Sequence, residues 1–227
     1  LVLNGEPGPV AEGQARLDTR EIPIQRVGSR DIQYPVRVES ASGATQSSIA
    51  QCSMYVSLPA HQKGTHMSRF IELLSEDSWV VSHAGIEQLL IKMTERLESE
   101  KGDIKLRFPY FVQKTAPVTG AVSLMDYQVS LTAQLSDQVP QISLKVVVPV
   151  TSLCPCSKKI SRYGAHNQRS HVTVEVQAEQ PFWIDDIVSL VESEASCELY
   201  ALLKRADEQY ITEKAYDNPK FVEDMIR

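Results

Sequence analysis

No run of about 18 consecutive apolar residues occurs in this chain, so no segment reads as a membrane-spanning helix, and the opening LVLNGEPGPVAEGQ lacks the basic and apolar regions of a signal peptide. Glycine-rich phosphate loops are missing too. Neither GxxxxGKS, GxxxxGKT nor GxGxxG is found, so any phosphate must be held by side chains and loop amides. Cysteine is scarce, with four residues at 52, 154, 156 and 197 in a chain of 227. That is too few to staple a fold of this size, and a Cys-x-Cys disulfide would close a strained ring, so reduced thiols and a cytoplasmic location are expected. Positive charge is in deficit, with 23 Lys and Arg against 29 Asp and Glu for a net charge of -6. A chain with that balance lacks the basic face of a general nucleic-acid binder.

One local deficit runs the other way: no Asp or Glu lies between Asp137 and Glu175. Inside that window, Pro149 to Val174 reads PVTSLCPCSKKISRYGAHNQRSHVTV and holds Cys154, Cys156, His166 and His171, four of the nine Cys and His residues. Thiolate and imidazole are the ligands that borderline and soft metals prefer. Lys158, Lys159, Arg162 and Arg169 share the stretch, forming a positive island that attracts an anion, phosphate above all. A CxC pair by itself is equally structural, redox-active or metal-binding, and His166 twelve residues on favours the metal. Neither spacing is that of a zinc finger, so a third ligand must come from elsewhere in the chain. His171 sits at the opposite parity to the apolar set of its strand and reads as a hydrogen-bonding residue. Cys52 and Cys197 fall in a strand and a helix pattern and read as small buried hydrophobes.

The periodicity predicts an α+β protein. Residues 1–20 form a polar arm, 21–117 a first module and 118–227 a second, similar module within one compact unit. Strands are expected around Ile32 to Val38, Met54 to Leu58, Ile104 to Val112, Tyr127 to Leu135, Ile142 to Val150 and Val172 to Ala178. Helical spacing runs through Phe70 to Leu74 and Ile86 to Leu97 with a break near Ser78, and then continuously from Ile184 to Ala206. A short last helix is expected after Asn218-Pro219. His61, Lys63, Gly64, His66 and Arg69 precede the first helix, as a solvated loop or a phosphate contact, and His83 reads as a surface or capping residue.

Four segments in one order, KGTHMSRF (63 to 70), SLCPCSKK (152 to 159), RYGAHNQRS (162 to 170) and NPKFVEDMIR (218 to 227), resemble GTP cyclohydrolase I of type B, and the resemblance runs from about Leu17 to Arg227. It implies a bimodular tunnelling fold, with antiparallel sheets backed by helices, assembled as a homotetramer with active sites at subunit interfaces. It further implies one divalent metal, Zn or Mn with Fe possible, held by Cys154, His166 and Glu208, and a guanine edge anchored by Glu223. The implied reaction converts GTP and water to 7,8-dihydroneopterin triphosphate and formate, the entry to folate and other pterins. Lys63, His66, Arg69, Lys158 and Lys159 are then the candidates for the triphosphate, and Cys156 is an accessory thiol. The family pattern also continues beyond the FVED segment with another strand and a His-containing motif. Two rival readings are a non-catalytic purine or pterin binder using the same pocket, and a redox or structural metalloprotein built on Cys154 and Cys156.

Overall fold

The computed structural model describes residues 17–76, 79–177 and 181–225. Six strands, β1 (Ile24–Glu39), β2 (Thr45–Leu58), β3 (Gly102–Thr115), β4 (Val122–Ser136), β5 (Val139–Leu153) and β6 (Asn167–Gln177), form one antiparallel sheet in chain order. Between β2 and β3 lie α1 (Ser68–Leu74) and α2 (His83–Arg96); α3 (Pro155–Ile160) interrupts β5 and β6; α4 (Ile184–Glu194), α5 (Arg205–Asp217) and a 3₁₀ turn (Val222–Met225) follow β6. The architecture is therefore α+β, and the sheet runs unbroken through the two expected modules because β3 pairs with β4 from Gly102↔Leu135 to Thr115↔Val122.

Alternation explains the sheet. Met125, Tyr127, Val129, Leu131, Ala133 and Leu135 of β4 are buried, while the residues between them are exposed or half-buried. Ile142, Leu144, Val146, Val148 and Val150 of β5 continue the same face. Between those two strands Asp137 and Gln138 both have positive φ, at 53° and 64°, the signature of the tight turn whose twist matches a hairpin. Helices cover the apolar face: α2 through Ile86, Leu89, Leu90 and Met93, and α4 through Ile184, Ile187, Val188 and Val191. Gly102 opens β3 directly beneath α2, where a Cβ would come within 2.5 Å of Thr94 Cγ2, so the close approach of helix to strand requires glycine there.

Three polar contacts then fix α4 on the sheet. The Tyr110 hydroxyl donates to Asp185 at 2.9 Å, and the Tyr127 hydroxyl and Lys114 ammonium both donate to Glu192, at 2.7 and 2.5 Å. Lys114 and Glu192 are each 12% exposed, so this pair sits largely out of water.

The single helix expected from Ile184 to Ala206 ends at Glu194, and residues 195–204 are not helical before α5 begins. At Ala195 the backbone turns extended, because the next residues are taken up by the end of β5. Thr151 N–H donates to the Cys197 carbonyl at 2.9 Å, Ser196 N–H donates to the Thr151 carbonyl at 3.1 Å, and Leu153 N–H donates to Ser196 Oγ at 3.1 Å. Tertiary hydrogen bonds thus outweigh a helical apolar pattern that Leu199, Leu202 and Leu203 continue to display. Cys197 is buried as expected, but on this bridge rather than in a helix. Lys204 and Arg205 correspondingly begin α5 instead of ending the helix before it. The arm is tied at its far end, where Leu17 bridges Gln62 and Asp18 N–H donates to the His61 carbonyl. Residues 1–16, the break near Ser78 and the strand end at Ala178 lie outside the described residues.

Candidate active site

The last residues of β5 act as a hub. Thr151 and Leu153 hold the 195–197 segment, as above, and the Leu153 carbonyl also accepts from Lys220 N–H at 3.2 Å. Asn218 secures that connection by donating its side-chain amide to the carbonyls of Ala195 and Ser196, at 3.0 and 3.3 Å. The NPKF and LCPC segments, 65 residues apart in sequence, are thereby neighbours.

Cys154 is the next residue. Its backbone takes extended angles and it occupies the N-cap of α3, with Pro155 at the first helical position, where a missing N–H costs nothing. Cys154 N–H donates to the His166 carbonyl at 3.2 Å, closing the loop between the two residues. Ser157 doubles the link: its hydroxyl donates to the Cys154 carbonyl at 3.0 Å and accepts from His166 N–H at 3.2 Å. Gly164, at φ 135°, supplies the turn that brings His166 back, a backbone shape that residues with a Cβ rarely adopt. Although the Cys154 thiol makes no close capping bond, the Ser157 amide foremost, with the Cys156 amide, holds its pKa below the ordinary thiol range. A thiolate at the start of a helix is a ready soft donor. Cys154 is half-buried, while Cys156 and His166 are exposed.

Glu208 belongs to α5. That helix packs through Ile211 and Ala215 against Leu153, Ala165 and Cys197. Glu208 precedes them by three and seven residues and so lies on the same helix face. Its carboxylate, half exposed, is turned along the helix to accept from Arg205 at 2.9 Å. Among the described residues no three His, Cys, Asp or Glu side chains are gathered tightly enough to hold an ion. The structure therefore joins Cys154 to His166 by backbone, sets Glu208 on the facing side of a packed helix, and leaves the three donor groups apart. The donor set itself, a cysteine sulfur with an exposed imidazole and a carboxylate, fits a divalent ion of borderline softness.

In the 3₁₀ turn the two carboxylates differ. Asp224 accepts from Phe221 N–H at 2.9 Å, closing the turn, whereas Glu223 is exposed and makes no hydrogen bond or ion pair among the described residues.

The cation candidates divide in the same way. The Arg69 guanidinium donates to the Arg96 carbonyl at 2.7 Å at the C-terminal end of α2, where a cation suits the helix dipole. Lys158 donates to the Tyr216 carbonyl near the end of α5 and lies 4.0 Å from the centre of the Tyr216 ring. Lys63 and Lys159 are exposed, and His66 is half-buried. His171 is an exposed residue inside β6, opposite Pro149. His83, read as a surface or capping residue, is half-buried as the first residue of α2, and the cap beside it is Ser82.

Sequence reasoning missed Ser157, which reads as an ordinary loop serine, and Asp207, which is fully buried at the start of α5. Asp207 accepts from Val118 N–H, Thr119 N–H, Thr119 Oγ1 and Lys204 N–H, all at 2.6 to 2.9 Å. Although burial raises its pKa, these bonds prevail and keep it well below the usual carboxylate range. The only signal in the sequence is a carboxylate three residues after a helix cap, the position where it can bond the cap amide.

A helix-start cysteine tied through its backbone to a histidine, at the end of a central strand of an antiparallel sheet, defines the class: an α+β protein with a cysteine–histidine loop as its candidate site. Residues 11–227 match the family described as Type I GTP cyclohydrolase folE2, and the chain belongs to that family. It is 56% identical over 219 residues to GTP cyclohydrolase FolE2 of Nitrosococcus oceani, covering 96% of this chain and 82% of that protein. It is 56% identical over 211 residues to GTP cyclohydrolase FolE2 of Aromatoleum aromaticum, covering 92% and 78%, and 52% identical over 219 residues to that of Methylobacillus flagellatus, covering 96% and 82%.

Proposed function

We propose that this chain is a GTP cyclohydrolase converting GTP and water to 7,8-dihydroneopterin triphosphate and formate, at the entry to folate biosynthesis. The observation that carries the reading is family membership across residues 11–227, joined to a Cys154–His166 pair already linked through Ser157. Cys154, His166 and Glu208 are our ligands for one divalent ion, Zn, Mn or Fe, once Glu208 turns from Arg205. Such an ion supplies Lewis acidity that makes water a competent nucleophile near neutral pH.

The chain's own groups do the rest. Glu223 accepts two N–H bonds from the guanine edge, a geometry that an otherwise unoccupied carboxylate suits. Lys63 and Lys159 offset the triphosphate charge, His66 offers it a hydrogen bond, and Arg69 and Lys158 join them by leaving their helix-end carbonyls. Cys156, exposed one residue beyond Pro155, is accessory. For the finer architecture we infer a bimodular tunnelling fold and a homotetramer with sites at subunit interfaces. Supporting this, β1 and β6 are the sheet's two edges, and Ile160 and Tyr163, beside the Cys154 loop, are 85% and 93% exposed. We place the protein in the cytoplasm, where its four free thiols stay reduced. Among the described residues no helix is long and apolar enough to cross a membrane.

Incubation with GTP carrying carbon-13 at C8 tests the activity. Labelled formate appearing in step with the pterin triphosphate is the expected result, and intact purine after metal loading contradicts it.

A further inference from the structure

Helix α5 carries Glu208, yet it has little apolar surface with which to hold itself in place. Of its 13 residues only Asp207 and Ala215 are buried, with Ile211 half-buried between them. The polar member of the set is firmly anchored. Asp207 Oδ1 accepts from the amides of Val118 and Thr119, both at 2.9 Å, and its Oδ2 accepts from Thr119 Oγ1 at 2.6 Å and from the Lys204 amide at 2.9 Å. Three of those four donors belong to the tip of the hairpin that joins β3 to β4, the two middle strands of the sheet. The tip is itself closed, with Ala116 N–H on the Ala121 carbonyl at 2.8 Å, Gly120 N–H on the Ala116 carbonyl at 3.1 Å, and Gly120 at φ 69°. Successive amides presented by such a turn form an anion-binding concavity, and here the anion is a side chain from another element.

Directional bonds fix what apolar packing leaves free. Ile211 and Ala215 pack against a cluster that includes Leu153 and Ala165, the residues just before Cys154 and His166. That stripe is narrower than the apolar face that usually seats a helix, so by itself it resists rolling only weakly. With about 100° between successive residues, Asp207 and Glu208 flank it on opposite sides. Tying Asp207 to the hairpin therefore sets the direction in which Glu208 projects. Asp207 is not itself a ligand, since it has no accessible surface and each of its oxygens already accepts two bonds. A buried polar network satisfied in this way rigidifies what it joins. We propose that Asp207 is a positioning residue that fixes the roll of α5 and so presents Glu208 to the Cys154–His166 loop, a role that rests on the reading of Glu208 as a metal ligand.

Cobalt(II), added to the metal-stripped full chain, is the probe, because its charge-transfer band reports a thiolate and its ligand-field bands report the whole donor set. Asp207→Asn keeps the shape of the side chain but turns an NH₂ group on two of the four donors. It should lower cobalt affinity about 10- to 100-fold in competition with a chelator. At saturation the thiolate band should remain while the ligand-field bands change. Thr119→Val removes one donor with little change of shape and should move both readings the same way by less, whereas Thr119→Ser, which keeps the hydroxyl, should match wild type. The Thr119 pair carries the test even where Asp207→Asn folds poorly. A purely structural role would lower the urea midpoint of Asp207→Asn and Thr119→Val yet leave affinity and the saturated spectrum as in wild type, and that result overturns the inference. Glu208→Gln separates the two readings. If it leaves affinity and spectrum unchanged, Glu208 is no ligand and the positioning role falls with it; if it changes them while Asp207→Asn and Thr119→Val do not, the positioning role alone is overturned.

Discussion

The amide of Cys154 donates to the carbonyl of His166 across 3.2 Å, and the Ser157 hydroxyl bridges the same two residues from the other side. The two candidate ligands thus keep their spacing through backbone atoms, which leaves thiol and imidazole available. Ser157→Ala removes the bridge and neither donor. Outer groups that position ligands typically contribute 10- to 100-fold in metal affinity, so competition against a chelator should show a loss of about that size at unchanged stoichiometry. Cys154→Ala and His166→Ala should instead lose the ion outright.

Glu208 and Glu223 are both exposed carboxylates near one hub, but their predicted roles separate. Glu208→Ala should lose bound metal and turnover together. Glu223→Ala should keep the metal and lose GTP binding, with turnover reduced at least about 100-fold. Metal analysis and equilibrium binding of GTP distinguish the two. Equal metal occupancy in wild type and Glu208→Ala would remove Glu208 from the ligand set.

The Lys114–Glu192 pair is a stability element. Lys114→Met leaves Glu192 buried against the Tyr127 hydroxyl alone and should cost about 3 kcal/mol in urea unfolding, because an unpaired buried charge is expensive. Lys114→Met combined with Glu192→Gln should be clearly less destabilised than the sum of the single variants. Additivity would mean the two groups do not interact.

Acid should weaken the protein near Glu198. Partial burial raises the pKa of this carboxyl, but hydrogen bonds from Lys214 and Tyr200 outweigh burial and bring it to about 2. The native value lies below the unfolded one of about 4.3, so the stabilisation is full above that pH and is lost as pH falls toward about 2. Glu198→Gln should cost about 1 kcal/mol at neutral pH, allowing for solvent screening of a partly exposed group, and flatten the stability profile below about pH 5. An unchanged acid slope in the variant would assign acid sensitivity to other carboxylates.

Much of the sheet was legible in the residues. Alternation along 127–135 and 142–150 survives as buried and exposed positions in β4 and β5, because a two-period pattern at a half-covered sheet admits one register. The break after α4 was not legible. Leu199, Leu202 and Leu203 keep a helical spacing, and what ends the helix is a set of bonds to Thr151, more than 40 residues earlier. For the same reason Cys197 was expected in a helix. The Cys154–His166 pairing could be read from composition, since both lie in one loop. Glu208 came only with the family resemblance, because several glutamates follow that loop and periodicity ranks none above the rest. The burial of Asp207 is not legible in the sequence because it depends on Val118 and Thr119, far away in the chain.

The most direct measurement is GTP turnover by metal-stripped protein to which Zn, Mn or Fe is returned singly, following formate and the fluorescence of oxidised neopterin together, with Cys154→Ala alongside. Both products forming only after a divalent ion is restored, and in wild type alone, is the predicted result. Turnover in the stripped protein, or undiminished turnover in Cys154→Ala, would contradict a metal-dependent cyclohydrolase built on this loop.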